Sequence, residues 1–262
     1  MSIKIKTPEE IEKMRIAGQL AADVLVMIAP HVKAGVTTDE LNTLCHNHIV
    51  EVQQAIPAPL NYHGFPKSIC TSVNDVICHG IPNHKKLREG DIINLDITVI
   101  KDGYHGDTSA MFIVGQTTPL RRQLCKVAQE SLYAAIQRVR PGMCITEIGA
   151  VIQPIVEQAG FSVVRDYCGH GIGAEFHEEP QILHYRNGGK LELKAGMCFT
   201  IEPMVNSKKY HCKVNPKDGW TVTTKDGGDS AQWEHTLLVT EDGCEVLTLR
   251  PDDTIDRVIK HS

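Results

Sequence analysis

The chain has 262 residues, with 42% apolar and 23% charged positions and a formal net charge of −5. That mild acidity argues against nucleic-acid binding through overall charge, although a local basic patch stays open. No direct sequence-specific nucleic-acid binding is expected. No apolar run approaches the roughly 18 residues that a membrane span needs, and residues 1–10 lack the apolar core of a signal peptide.

Four helices are predicted in chain order. Thr7 is placed as the N-cap of the first helix, with Pro8 in its first turn and Glu10 positioned to complete a capping box. Helical spacing of apolar residues continues this helix to about residue 28. A second helix is expected over about residues 38–52. A similar pair follows over about residues 119–139 and 146–159, where a glycine ends the last helix.

The two halves of the chain resemble each other. Residues 32–41 align with residues 139–148 at an offset of 107, and residues 88–99 align with residues 194–205 at an offset of 106. A third pair of segments then aligns Asp107 with Glu234. Chance similarity of amphipathic segments is the alternative for any one alignment, but three segments in the same order favour duplication. We therefore predict one α+β domain over 1–262, with an internal repeat over approximately 8–114 and 119–240.

Two carboxylates are predicted on one face of a hairpin. Polar and apolar residues alternate around Asp96, and Asp102-Gly103 is a strong signal for a two-residue turn. A turn centred there sets Asp96 opposite Ser109. Asp107 is then a diagonal neighbour of Asp96, with Cα atoms about 7–8 Å apart. The two carboxylates repel each other unless a cation lies between them. For Asp96 considered alone, the alternative is an ordinary surface residue on a strand.

Two further carboxylates lie in apolar surroundings. Glu202 and Glu234 are each flanked by apolar runs, where an unpaired carboxylate is costly. The duplication superposes Asp96 on Glu202 and Asp107 on Glu234. The four residues therefore predict an acidic pocket suited to two divalent metal ions about 3.5–4 Å apart.

The stretch GHGIGAEFHEEP, at residues 169–180, offers two imidazoles. Its glycines disfavour a helix, and the odd spacing of His170 and His177 disfavours a strand, so we predict a loop. His170 is the candidate nitrogen ligand and His177 is left for the substrate. One histidine among oxygen ligands favours Mn, Fe or Co over a structural zinc. Phosphate binding is disfavoured because no G-x-x-x-x-G-K-[ST] motif is present, and no G-x-S-x-G elbow indicates a nucleophilic serine.

These residues resemble a known family. Asp96, Asp107, His170, Glu202 and Glu234, with CHGIP at 78–82, GHGIG at 169–173 and FHEEP at 176–180, resemble the pattern of type I methionine aminopeptidases over nearly the whole chain. The resemblance implies the pita-bread fold, in which two pseudo-twofold-related halves place helices on a curved antiparallel sheet. It also implies removal of the initiator methionine from nascent proteins, by hydrolysis with a metal-bridging water and in favour of a small second residue.

The resemblance also implies roles for single residues. The five named side chains would hold two divalent ions, Fe²⁺, Mn²⁺ or Co²⁺, with Zn²⁺ as a further option. Glu202 would accept a proton, while His79 and His177 would orient the substrate and stabilise the tetrahedral intermediate. The family's substrate pocket matches His79, His177, Tyr62, His63, Phe65, Cys70, Phe176 and Trp220. Pro59 and Phe65 depart from the cysteine and tyrosine common in bacterial relatives, which affects how strictly the pocket demands methionine.

Other readings stay open at this point. A proline-specific aminopeptidase P or prolidase shares the five ligands, and a non-catalytic relative would bind peptides without cleaving them. A paralogue with restricted activity is compatible with the two departures in the pocket. The basic stretch of Lys208, Lys209, Lys213 and Lys217 is either a solvated loop or a contact with the ribosome.

The composition gives expectations for the cellular compartment and for the oligomeric state. The nine cysteines are odd in number and form no C-x-x-C motif, which indicates a reducing, cytoplasmic compartment and no disulfide framework. No large apolar surface face stands out in the pattern. We therefore expect a monomer whose partner is the N-terminal peptide of a nascent protein.

Overall fold

The computed structural model describes residues 3–261, so residues 1, 2 and 262 of the predicted domain lie outside the described residues. Within them lie four α-helices, which begin where the sequence predicts: α1 (Pro8–Ile28), α2 (Thr38–Asn47), α3 (Pro119–Ile136) and α4 (Thr146–Gln158). The capping box of Thr7 and Glu10 is confirmed. A π-helical turn over His48–Val52 extends α2 to its predicted end. No helix in this part of the chain is long and apolar enough to cross a membrane.

The third helix ends earlier than predicted. The backbone N–H groups of Arg138 and Val139 donate to the carbonyls of Ala135 and Ile136, three residues back. Such bonds tighten the last turn and end the α-helical pattern. Pro141 follows two residues later, and a proline disfavours helix in the residue before it.

The strands pair in an antiparallel manner throughout, which confirms the α+β class. The strands are β1 (Ile56–Pro57), β2 (Cys70–Val73), β3 (Val76–Cys78), β4 (Ile92–Lys101), β5 (Tyr104–Ile113), β6 (Ser162–Val163), β7 (Gly169–Gly171), β8 (Glu178–Ile182), β9 (Cys198–Ile201), β10 (Met204–Asn206), β11 (Cys212–Val214), β12 (Val222–Thr224), β13 (Ser230–Gln232), β14 (His235–Val239), β15 (Gly243–Val246) and β16 (Val258–Lys260). One sheet pairs β4 with β1, β2 and β5, and a six-stranded sheet has the order β16-β15-β14-β9-β7-β8. Two smaller sheets have the orders β13-β10-β6 and β11-β12-β3.

The hairpin of β4 and β5 has the predicted register. Asp96 pairs with Ser109, and Thr98 pairs with Asp107. Asp102 and Gly103 have φ of 49° and 81°, as a type I′ turn requires. Asp96 and Asp107 therefore lie on one face of the hairpin as diagonal neighbours.

Each half of the chain has its own hydrophobic core. Helices α1 and α2 pack on β4 and β5, while α3 and α4 pack on the β13-β10-β6 sheet and share a core with the six-stranded sheet. α1 approaches β5 so closely that a side chain at Gly106 would overlap the backbone of Ala17. An isolated bridge between Ser109 and Glu234 joins β5 to the segment before β14. The junction of the two halves is therefore where the predicted carboxylates meet, although the duplication itself stays a prediction.

Candidate metal centre

The prediction of a loop over residues 169–180 is wrong at both ends. Gly169–Gly171 is strand β7 and Glu178–Ile182 is strand β8, with a loop between them. This strand needs a glycine at position 169, because a side chain there would overlap the carbonyl of Thr200 on β9. The pairing register shifts after His170, and a bulge of this kind re-aims side chains. The rings of His170 and His177 consequently lie 4.3 Å apart despite their odd spacing.

The five predicted ligands converge on one cavity. Asp96 lies on β4, Asp107 on β5, Glu202 directly after β9 and Glu234 directly before β14. With His170 they line a cavity of about 430 Å³. His170 Nε2 lies 3.6 Å from Asp107 Oδ2 and 3.6 Å from Glu202 Oε1. Ligand atoms of Asp107, His170 and Glu234 all lie within 4.8 Å of one another. Two ligand atoms that share one ion, each about 2.1 Å from it, lie at most about 4.2 Å apart. The two separations of 3.6 Å fall within that limit.

No lysine or arginine in the described part of the chain forms an ion pair with the four carboxylates, although the charge of Arg250 acts on Glu234 from a greater distance. Burial raises the pKa of Asp96 to about 7 and that of Glu202 to about 8. Burial and the neighbouring carboxylates raise the pKa values of Asp107 and Glu234 well above their ordinary range. In residues 3–261, His170 is the one basic side chain within 4.0 Å of these four groups. Burial lowers its pKa to about 4, so it is neutral at pH 7. Four buried acids around a neutral imidazole fit divalent cations.

His170 and Glu202 are held by one threonine. The backbone N–H of His170 donates to Thr200 Oγ1 at 3.0 Å, and the Thr200 hydroxyl donates to Glu202 Oε1 at 2.8 Å. Gln232 Nε2 donates to Glu202 Oε2 at 3.1 Å. His170 Nδ1 lies 3.0 Å from the carbonyl of Gly171. A proton on Nδ1 donates to that carbonyl and leaves the lone pair of Nε2 free for a metal ion.

The supporting residues were not among the predicted site residues. The Thr98 hydroxyl donates to Asp107 Oδ1 at 2.7 Å, and His184 Nε2 accepts the backbone N–H of Glu202 at 3.1 Å. Strand alternation could have found Thr98, which opposes Asp107 in the hairpin, and Thr200, which lies two residues before Glu202. The sequence around His184 carries no such signal, because His184 lies in a bend after β8 and reaches Glu202 from a separate segment of the chain.

An aromatic pocket adjoins the carboxylates. The cavity is lined by seven of the eight predicted pocket residues: Tyr62, Phe65, Cys70, His79, Phe176, His177 and Trp220. The rings of Phe65 and Trp220 meet edge to face at 5.3 Å, and those of Tyr62 and Phe176 lie 4.9 Å apart. His63 is different, because its side chain is exposed and packs against Tyr62 outside the cavity lining. The pocket is therefore an apolar cavity with a polar, acidic end.

The two other histidines of the cavity are neutral. Burial lowers the pKa of His79 to about 4 and that of His177 to about 3. His177 Nδ1 lies 2.7 Å from the Tyr62 hydroxyl. If that hydroxyl donates, the ring proton lies on Nε2, where it is available to a ligand. His79 has φ of 55°, a strained conformation that is concentrated at functional sites.

Comparisons with known proteins agree with this geometry. The profile of metallopeptidase family M24 matches residues 12–241. Methionine aminopeptidase of Escherichia coli (strain K12) is 60% identical over 263 residues, covering 100% of this chain and 99% of that relative. The crystal structure of methionine aminopeptidase from Rickettsia prowazekii is 55% identical, with a TM-score of 0.93 over 95% of this chain and 100% of that chain. Prolidase from Pyrococcus furiosus is 23% identical, with a TM-score of 0.74 over 94% of this chain and 65% of that chain, and shows the fold alone. The predicted pita-bread fold is confirmed.

Proposed function

The chain belongs to metallopeptidase family M24, and we propose that it is a methionine aminopeptidase that removes the initiator methionine from newly made proteins. The observation that carries the proposal is the meeting of two environments in one cavity. A buried cluster of four carboxylates and one imidazole forms one part of the lining, and aromatic side chains are prominent among the other lining residues. The full-length similarity to a methionine aminopeptidase supports the same activity.

The proposed cofactors are two divalent metal ions. The side chains that would hold them are Asp96, Asp107, His170, Glu202 and Glu234. Oxygen ligands with one imidazole suit Mn²⁺, Fe²⁺ or Co²⁺, and Zn²⁺ is a further option. Bound divalent ions lower the pKa of a water molecule and polarise a carbonyl group. The two ions would also balance the four buried carboxylates.

Glu202 is the proposed proton acceptor. Its Oε1 accepts from Thr200 and its Oε2 from Gln232, so the carboxylate is held in one orientation towards the cavity. Burial raises its pKa to about 8 in the metal-free chain, and bound cations would lower that pKa, so the ionised carboxylate would be available as a general base. Glu202 would take a proton from the attacking water and pass it to the leaving amine.

His79 and His177 are the proposed donors to the substrate. Both line the cavity, and both are neutral because burial lowers their pKa values. A neutral imidazole N–H stabilises negative charge on a carbonyl oxygen without itself carrying a charge into the apolar pocket. These two residues would orient the scissile carbonyl and stabilise the tetrahedral intermediate.

The aromatic part of the cavity is the proposed methionine pocket. Thioether sulfur makes favourable contacts with aromatic rings, and the edge-to-face pair of Phe65 and Trp220 offers such a wall. Pro59 also lines the cavity. This pocket has Pro59 and Phe65 at the two positions where many bacterial relatives have a cysteine and a tyrosine. At these positions it therefore lacks the thiol and the hydroxyl group. A small residue after the methionine is the proposed preference.

Partners and location follow from this activity as proposals. The substrate would be the N-terminal peptide of a nascent protein. The four lysines at 208, 209, 213 and 217 are exposed, in the segment that leads to Trp220. They would form the proposed ribosome contact, and a solvated loop is the alternative that their exposure fits equally well. The nine free thiols suit the cytoplasm, and a monomer remains the expected state.

The decisive experiment compares three peptides. Metal-stripped protein would be assayed on Met-Ala-Ser, Met-Lys-Ser and Ala-Pro-Ser before and after addition of Fe²⁺, Mn²⁺ or Co²⁺. We expect metal-restored cleavage of Met-Ala-Ser alone. Cleavage of Ala-Pro-Ser instead would establish a proline-specific peptidase. Absence of all cleavage with metal bound would replace the proposal with a peptide-binding protein.

A further inference from the structure

A buried ion pair ties the N-terminal segment to the segment that carries His177. Lys6 Nζ donates to Glu178 Oε2 at 2.6 Å, and the two side chains are 2% and 5% exposed. Lys4 also reaches this carboxylate, at 3.3 Å from Oε1, but its side chain is 52% exposed. Solvent screens an exposed pair of this kind, which contributes little, whereas a buried charge depends on its partner. Lys6 is therefore the partner on which Glu178 depends.

Glu178 in turn closes a tight turn at the substrate pocket. Its Oε1 accepts the backbone N–H of Glu175 at 3.3 Å. The two residues between them are Phe176 and His177, whose rings stack at 4.3 Å and both line the cavity. The backbone of Glu178 pairs with Gly171, the neighbour of the metal-ligand candidate. The Glu178 carboxylate thus fixes the turn that presents two pocket residues.

Lys6 itself is fixed from two sides. Its backbone N–H donates to the carbonyl of Gly196 at 2.8 Å, just before β9. The next residue, Thr7, caps α1. The Lys6 side chain lies against Gly173, where an added side chain would overlap it. The ammonium group therefore lies beneath the loop between β7 and β8, held by elements outside that loop.

We propose that Lys6 is a positioning residue for substrate binding and catalysis, which acts through Glu178 on the turn that holds Phe176 and His177. The inference rests on the proposed function, because it assigns that turn to the substrate pocket. Burial alone would raise the pKa of Glu178, but the hydrogen bond and charge of Lys6 hold it below its ordinary value. Without Lys6 the ionised carboxylate turns towards water, and the turn moves with it.

The test is a double-mutant cycle between Lys6 and His177. For K6M we expect kcat/KM on Met-Ala-Ser to fall by about tenfold or more at a temperature well below unfolding, with bound metal unchanged. In an H177A background the same substitution should lower kcat/KM by less than about threefold, because the turn no longer presents the imidazole. K4M is the matched control, and its kcat/KM should stay within about twofold of the unaltered protein.

Two results would overturn the inference. K6M could lower the melting temperature and leave kcat/KM unchanged, or it could lower kcat/KM by the same factor with and without His177. The first result makes the ion pair a stabilising contact only, and the second means that Lys6 affects activity by a route that does not pass through the His177 imidazole. If K6M fails to fold, E178Q replaces it in the same cycle, since it removes the other charge of the pair.

A second measurement separates this inference from the proposed activity. The imidazole signals of His177 in a ¹H–¹⁵N spectrum should shift in K6M and stay in place in K4M, whatever peptide the protein cleaves. If the unaltered protein cleaves no peptide but the signals shift as expected, the activity assignment fails and the positioning role stands. Unshifted signals in K6M reject the positioning role.

Discussion

Replacement of Thr200 by valine isolates one hydroxyl group at the metal centre. Thr200 is fully buried on β9, where it pairs with Thr236. Valine keeps the β-branched shape, so strand pairing and packing should remain. Two hydrogen bonds are lost together: the one accepted from the His170 backbone and the one donated to the Glu202 carboxylate.

The expected magnitude follows from those two bonds. A hydrogen bond to a charged group contributes about 1.5–3 kcal/mol, and a buried N–H left without a partner costs about 1–3 kcal/mol. Partial relaxation of the backbone reduces the sum, so we expect the free energy of unfolding to fall by about 2–4 kcal/mol. For a chain of this size that lowers the melting temperature by roughly 5–12 °C. Loss of a group that orients a metal ligand should weaken metal binding or turnover by about 10–100-fold.

Three measurements test this prediction, with Thr200→Ser as the matched control. Thermal unfolding, calorimetric titration with Mn²⁺ and kcat/KM on Met-Ala-Ser would be recorded for each protein. Serine keeps the hydroxyl and loses one methyl group, which costs about 1 kcal/mol of stability and leaves metal affinity near the starting value. The reasoning is refuted if valine preserves metal affinity and turnover, or if serine loses as much of both as valine does.

Three further predictions concern the ligands, the acidic cluster and the helix packing. His170→Ala should lose both bound metal and turnover, whereas His177→Ala should lower turnover and keep its metal, as measured by metal analysis and peptide cleavage. In the metal-free protein, burial raises the pKa of Asp96 to about 7 and that of Glu202 to about 8, so the folded state keeps protons that the unfolded chain releases above about pH 4.5. Buried histidines such as His79, His170 and His177 have lowered pKa values and oppose this trend below about pH 6.5, where the unfolded chain protonates them and the folded state does not. The free energy of unfolding should therefore fall as the pH rises from about 6.5 to 8, and denaturant titrations with saturating Mn²⁺ should remove that slope. Gly106→Ala should destabilise the fold by about 3 kcal/mol or more in denaturant unfolding, because the new methyl group meets the backbone of α1.

Each of these outcomes has a contrary result. Metal loss in His177→Ala would exchange the roles assigned to the two histidines. A stability of the metal-free protein that rises over the same pH window would mean that the cluster is ionised and balanced by another group. Wild-type stability of Gly106→Ala would show that α1 and β5 can separate without loss of packing.

The sequence predicted the hairpin in detail because its signals are local. Period-two alternation around Asp96 and the Asp102-Gly103 turn together determine which residues face each other, and the observed register agrees. The capping box at Thr7 is another local signal, since its two hydrogen bonds span three residues. The metal ligands could be proposed because carboxylates in apolar runs are unusual, and the structure brings all of them to one cavity.

Two predictions from the sequence differ from the structure: the loop over residues 169–180 and the place of His63 in the pocket. The glycines at 169 and 171 suggested a loop, but they allow β7 to lie between β8 and β9, where larger side chains would overlap the neighbouring backbones. His63 was grouped with the pocket residues, yet the backbone turns its ring to the outside, with φ of 47°. The strand at 169–171 is decided by neighbours on β8 and β9 that are distant in the chain, whereas the outward position of His63 is decided by the positive φ of its own backbone, which the residue type does not indicate.

The sequence by itself determined the helix starts and the hairpin register and led to a predicted ligand set, since each follows from residue chemistry and short-range periodicity. Only the tertiary structure decided that Thr200 joins His170 to Glu202, that His184 accepts the Glu202 backbone N–H, and that Lys6 pairs with Glu178 at the start of β8. These contacts join segments that lie up to 172 residues apart. Their partners are selected by how the sheets and loops pack in space, and the period of a single strand or helix carries no record of that packing.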